Sequence, residues 1–212
     1  MIVMYSCQLD PTTKTILKIY LFRNVQNVEA IRSNIISGAW SCAIVKPSLI
    51  IDPFQVAVAA NKAAMAQKQN TMVTRTVYAE ILFNLSLSKN ITQSLSKFGV
   101  EKDQNMLVCF LITPEIDVSE EILPQIEGEQ CNLEELPTLT NMKDVNQVYK
   151  LNNLKDNLLD VVLAKIVTKN FISHYITLVL FKQYTLIIIL FNNNNIHYVK
   201  CTLYIYTICK SE

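Results

Sequence analysis

Few residues in this 212-residue chain are of the types that do chemistry, and their spacing argues against catalysis. The only two histidines, His174 and His197, lie near the C-terminus. Residues 1–169 therefore have no imidazole for acid–base work, a triad or a metal site. Only three glycines occur, and no GxGxxG, GxxxxGK[ST], HExxH or GxSxG pattern is present. A phosphate-cradling loop or a nucleophile elbow thus has nothing to be built from. Glu120 with Glu121 and Glu134 with Glu135 are adjacent acids in polar segments, which reads as a solvated face rather than the paired carboxylates of a glycosidase. Glu80 is expected to be a helix partner or cap for Arg75 or Thr76. The six cysteines form no CxxC pair, so free buried thiols are expected rather than a zinc knuckle or redox centre. The residues predict no enzyme, no metal and no cofactor.

Binding chemistry is better represented. Lys62, Lys68, Arg75, Lys89 and Lys97 surround the middle of the chain. A net charge of +1 gives no general attraction to polyanions, so any RNA contact must come from a local cluster, for which Lys62, Arg75 and Lys97 are the candidates. The alternative is that these are ordinary solubilising cations.

The elements that position these residues are centred on Ile50 to Val100. Ile50 and Ile51 close an apolar, strand-like run, Asp52 is placed to cap, and Pro53 suits the first helical position. The helix that follows carries Phe54, Ala57, Val58, Asn61 and Met65 on one face and Ala59, Ala60, Ala63 and Ala66 on another. The small residues let a second backbone approach closely, either a helix of the same chain or a partner. Asn61, on the apolar face, is expected to be a buried hydrogen-bonding residue. Periodicity predicts helices over Thr74 to Leu85 and from Ser88 or Asn90 to Phe98, with Gly99 as a left-handed cap.

The flanks fit a single domain. About half the chain is hydrophobic, enough for one core. Thr15 to Phe22 reads as a strand, and a helix capped by Asn27 and closed by Gly38 follows. Trp40 to Val45 reads as a short strand, and Met106 to Ile112 as one covered on both faces. A short helix over Glu120 to Ile126, interrupted by Pro124, and another from Thr140 or Asn141 precede a last helix from Leu154 to Thr168. That last helix is apolar well round its circumference, through Leu158, Leu159, Val161, Leu163, Ile166 and Val167. It needs cover on two sides, by more core or by a partner. The N-terminus lacks a basic, apolar secretory signal, which predicts an intracellular protein.

Several words in this order carry a resemblance: DPFQ at Asp52 to Gln55, AANKA at Ala59 to Ala63, TRT at Thr74 to Thr76, EILFNLS at Glu80 to Ser86 and KFG at Lys97 to Gly99. From about Gln8 to Lys169 the chain resembles the kinase-binding small subunit of the KEOPS (EKC) complex, the family of the p53-related-kinase-binding protein. The resemblance implies an α/β fold with a central sheet flanked by helices and a non-catalytic, regulatory role in cytoplasm and nucleus. It implies docking on the small atypical kinase/ATPase of a complex that also contains the threonylcarbamoyl transferase subunit. That complex makes threonylcarbamoyl-adenosine (t6A) next to the anticodon of tRNA, and archaeal relatives hold the 3′ end of tRNA. For the kinase, the expected contacts are the outer face of the last helix, with Leu159, Leu163 and Ile166, and secondly Ala59 and Ala63. The alternative function is an RNA-binding module holding tRNA through Lys62, Arg75 and Lys97.

The resemblance gives residues 1–169 as the kinase-binding domain. Residues 170–212 are an apolar extension of different composition, without Gly, Ala, Pro, Arg or Asp and with an Asn192 to Asn195 run. They look like translated AT-rich non-coding sequence or a gene-prediction error. A membrane anchor over Phe171 to Phe191 is the functional alternative, made costly by His174, Lys182 and Gln183.

Overall fold

A computed structural model describes residues 4–151, 157–169, 178–182, 185–192 and 195–201, the last three segments as backbone only. In chain order, β1 (Tyr5–Gln8) and β2 (Ile16–Arg23) precede α1 (Val28–Ile36) and β3 (Ala43–Val45). Then come α2 (Pro53–Lys68), α3 (Val77–Leu85), α4 (Ile91–Phe98) and β4 (Met106–Ile112). A single turn, α5 (Ser119–Ile122), leads to β5 (Glu129–Cys131), and a second, α6 (Leu136–Leu139), to α7 (Met142–Tyr149) and α8 (Leu158–Thr168).

The sheet runs β1-β2-β4-β3, and β5 pairs with the end of β2 beyond β1. Every pairing is antiparallel, with Ile19 opposite Cys109 and Ile44 opposite Val108 at the centre. All seven residues of β4 are buried because helices and loops cover both faces. Strand alternation then sends Leu107, Cys109 and Leu111 into one core with α2, α3, α7 and α8. Met106, Val108, Phe110 and Ile112 go into the other, with α1 and Trp40. The expected α/β architecture, a central sheet flanked by helices, is thus observed.

Local chemistry sets the boundaries. Asp52 Oδ1 accepts from Phe54 N at 2.7 Å, so α2 starts at Pro53 as its sequence predicts. Thr76 Oγ1 accepts from Ala79 N, which starts α3 at Val77 rather than Thr74. Asn90 caps α4, and Gly38 (φ +79°) follows α1 in the left-handed conformation.

Four expectations are corrected. Asn27 makes no side-chain cap; its amide instead donates to Gln125 O and accepts from Glu127 N, tying α1 to the segment before β5. The apolar run before Asp52 is not a strand, because Pro47 opens a 3₁₀ turn over Pro47–Leu49. The last helix begins at Leu158, after residues that lie outside the described set. Gly99 caps α4 in extended backbone (φ −75°), not left-handed. It is needed for closeness, since a Cβ there would lie 2.6 Å from Leu95 O.

In the extension, β6 (Leu178–Lys182), β7 (Thr185–Asn192) and β8 (Asn195–Cys201) pair antiparallel in the order β6-β7-β8. The candidate span from Phe171 to Phe191 is strand where it is described and otherwise lies outside the described residues. Among the described residues, no helix is long and apolar enough to cross a membrane.

Candidate functional site

The site is built where α2, α3 and α8 meet. The α2 helix is buried almost all round, because it packs on the sheet, on α3 and on α8 at once. Small side chains make that possible: Ala57, Ala59, Ala60 and Ala63 are each fully buried, so neighbouring backbones come close to the α2 axis. Asn84 of α3 reaches the backbone of α2 directly, its Nδ2 donating to Ala59 O at 3.3 Å. The stripe containing Ala59 and Ala63 is therefore occupied by this chain's own helices.

The α8 helix packs on α2 and has Val162, Leu163, Ala164 and Ile166 buried. Leu158, Leu159, Val161 and Val167 are only partly buried against the same core. Of the three α8 residues expected to dock, Leu163 and Ile166 face inward and Leu159 is half-exposed.

Two lysines secure the C-terminal end of α8. Lys62 Nζ of α2 donates to Ile166 O at 2.7 Å and to Val167 O at 3.4 Å. A helix end carries unpaired carbonyls and partial negative charge, which a cation satisfies. Lys169, just past the helix, donates to Phe83 O and places its Nζ 3.2 Å from the centre of the Phe83 ring. Burial pulls its pKa down to about 8; nearby Lys62 adds to the drop and Glu80 opposes it.

Glu80 is buried and accepts from Val73 N, Thr74 N and Thr74 Oγ1, at 3.1, 2.8 and 2.6 Å. It thus clamps the turn before α3 through Val73 and Thr74, rather than pairing with Arg75 or Thr76 as expected. Asn61 is half-buried, and its Oδ1 accepts from Asp10 N at 2.7 Å. Gln55 is the residue that sequence reading missed. It is fully buried, accepting from Ile51 N and donating to Leu49 O and Tyr149 Oη. Tyr149 in turn donates to Leu85 O, so one polar chain joins the start of α2 to the ends of α3 and α7. Only its place within the DPFQ word hinted at this.

The three cations expected for RNA are dispersed over separate elements. Lys62 is engaged on α8, Arg75 is exposed in the loop before α3, and Lys97 is exposed in the last turn of α4. Glu120–Glu121 and Glu134–Glu135 sit in single-turn helical segments rather than facing a common cleft. Cys7, Cys42 and Cys109 are free and buried, and burial pushes the Cys42 thiol up to about 12, where it is inert. Among the described residues, no group of three or more His, Cys, Asp or Glu side chains is placed to hold a metal.

Comparison with known proteins returns one consistent set of relatives. The family model described as "Kinase binding protein CGI-121" matches residues 22–170. The zebrafish (Danio rerio) EKC/KEOPS complex subunit TPRKB is 30% identical over 158 residues, covering 71% of this chain and 89% of that protein. The Candida glabrata EKC/KEOPS complex subunit CGI121 is 30% identical over 142 residues, covering 64% of this chain and 79% of its own length. The Schizosaccharomyces pombe subunit is 25% identical over 166 residues, covering 74% and 95%.

Proposed function

The chain belongs to the CGI-121 family of kinase-binding proteins, and from that membership we propose that it is a non-catalytic regulatory subunit of a KEOPS/EKC complex. In this reading it docks on the small atypical kinase/ATPase and, through it, supports the threonylcarbamoyl transferase subunit in t6A modification of tRNA, in cytoplasm and nucleus. Residues 1–169 are the kinase-binding domain, and residues 170–212 are an extension foreign to it.

The observation that carries the reading is α8: a helix anchored at its C-terminal end by Lys62 and Lys169, with Leu158, Leu159, Val161 and Val167 half-exposed. Partly exposed apolar side chains on a rigidly held helix suit a partner surface, because little ordering entropy is lost on docking. Leu159 is the proposed contact. Leu163, Ile166, Ala59 and Ala63 support it from beneath.

Co-purification with the organism's KEOPS kinase tests this. Leu159→Glu is expected to abolish capture while the circular dichroism spectrum stays that of the parent. Unchanged capture by Leu159→Glu would overturn the assignment. Leu163 cannot serve for this test, since a charge at so buried a site threatens the fold itself.

A second reading, direct tRNA contact, rests on the exposure of Arg75 and Lys97. It predicts binding that weakens steeply with salt, by counterion release. A flat salt response would remove it.

A further inference from the structure

We propose that the cleft between α1 and α3 is a binding site for a small amphipathic anion, a molecule with an apolar body and a single carboxylate or phosphate head. The cleft has a volume of about 740 Å³, floored by β3 and closed at one end by α4 and the Gly99–Glu101 segment. That is within the roughly 300–1,000 Å³ of sites that bury small ligands. No residue of α8 lines it, so it does not depend on the docking assignment.

Its walls are apolar: Ile31 and Ile35 from α1, Trp40, and Val77 and Leu82 from α3. At its lip Ile36 is 78% exposed, the most exposed large hydrophobic residue among those described. An apolar body is what such walls would shield from water.

The charges select the head group. Only three charged residues line the cleft, Arg32, Arg75 and Glu101. The Glu101 carboxylate accepts from Ser96 Oγ at 2.7 Å, and the Arg32 guanidinium makes one long contact, 3.4 Å, to Glu101 O. Arg75 has no hydrogen-bond or ion-pair partner among the described residues. Two exposed guanidiniums beside an apolar cleft, one of them unpartnered, offer the fork geometry that binds carboxylate or phosphate.

Calorimetric titration of the full chain with dodecanoate, dodecyl phosphate and dodecanol, each below its micelle concentration, tests this. One saturable site is expected for at least one of the two anions, and whichever binds tighter identifies the head group. Dodecanol should bind at least tenfold more weakly, and Arg75→Ala and Arg32→Ala should each weaken the anion about tenfold. Ala79→Phe, which places a ring into the cleft from the half-buried first turn of α3, should block binding with an unchanged circular dichroism spectrum. Failure of both anions to saturate, equal affinity for dodecanol, or full binding to a folded Ala79→Phe variant would overturn the proposal. So would a short single-stranded RNA that is blocked by Ala79→Phe when neither anion binds.

Discussion

Lys62 Nζ lies 2.7 Å from the carbonyl oxygen of Ile166, a contact across 104 residues that joins the middle of α2 to the end of α8. The AANKA word thus places a cation between small residues so that it can reach a helix terminus rather than solvent. Replacing Lys62 with Met keeps the aliphatic stem but leaves the Ile166 and Val167 carbonyls without this donor. The expected loss of stability is about 1–3 kcal/mol, read from the urea midpoint. Capture of the kinase should weaken with it, because α8 is no longer held, whereas the salt dependence of any tRNA binding should not change. A Lys62→Met protein as stable as the parent would show that the contact contributes nothing.

Lys169 makes stability depend on pH in a definite direction. Its pKa falls from 10.5 in the unfolded chain to about 8 when folded, chiefly through burial, with Lys62 adding to the drop. Between those values the unfolded chain binds more protons, so stability rises as pH climbs from about 8 towards 10.5. Below pH 8 both states are protonated and this contribution is flat, the folded state then bearing the full cost of the buried charge. A Lys169→Met variant should lack the rise. The comparison is made by denaturant titration of parent and variant at pH 7.5, 9 and 10, where identical slopes would refute it.

How much of this was legible beforehand depends on the range of the interaction. The Asp52–Pro53 start of α2, the Thr76 and Asn90 regions, and the wholly buried β4 are set by neighbours in sequence, and their residue types announce them. Lys62 could not be read as a helix cap, because its acceptors are more than a hundred positions away. The same holds for Ala59 and Ala63: small residues signal close approach, but not whether the approaching helix belongs to this chain. Asn27 had the type of a cap but was drawn to Gln125 and Glu127 by the return of the chain. Gly99 was readable as necessary and misread as to cause, since the constraint is Leu95 O rather than a positive φ.

The Gln55–Tyr149 pair should behave as one unit. Tyr149 Oη receives from Gln55 Nε2 at 2.8 Å and gives to Leu85 O at 2.8 Å, all three groups being buried. Tyr149→Phe strands both neighbours and should cost about 1–3 kcal/mol. Gln55→Leu should cost at least as much, because Ile51 N and Leu49 O also lose their partner. In a double-mutant cycle the combined loss should fall short of the sum by about 0.5 kcal/mol or more. Strict additivity would mean that the two side chains act independently.

Glu80 holds the turn that presents Arg75. Its Oε2 takes three donors from Val73 and Thr74, and the negative charge on that oxygen makes each of these bonds stronger than the same bond to a neutral amide oxygen. Glu80→Gln should keep α3, whose start is set by Thr76, while loosening the preceding turn. The expected readout is faster amide exchange at Val73 and Thr74 with a stability loss of about 1–2 kcal/mol. Because Arg75 is carried on that turn, binding of an anion to the α1–α3 cleft should weaken in Glu80→Gln even though Glu80 does not line it. Unaltered exchange at Val73 and Thr74 would separate Glu80 from the position of Arg75.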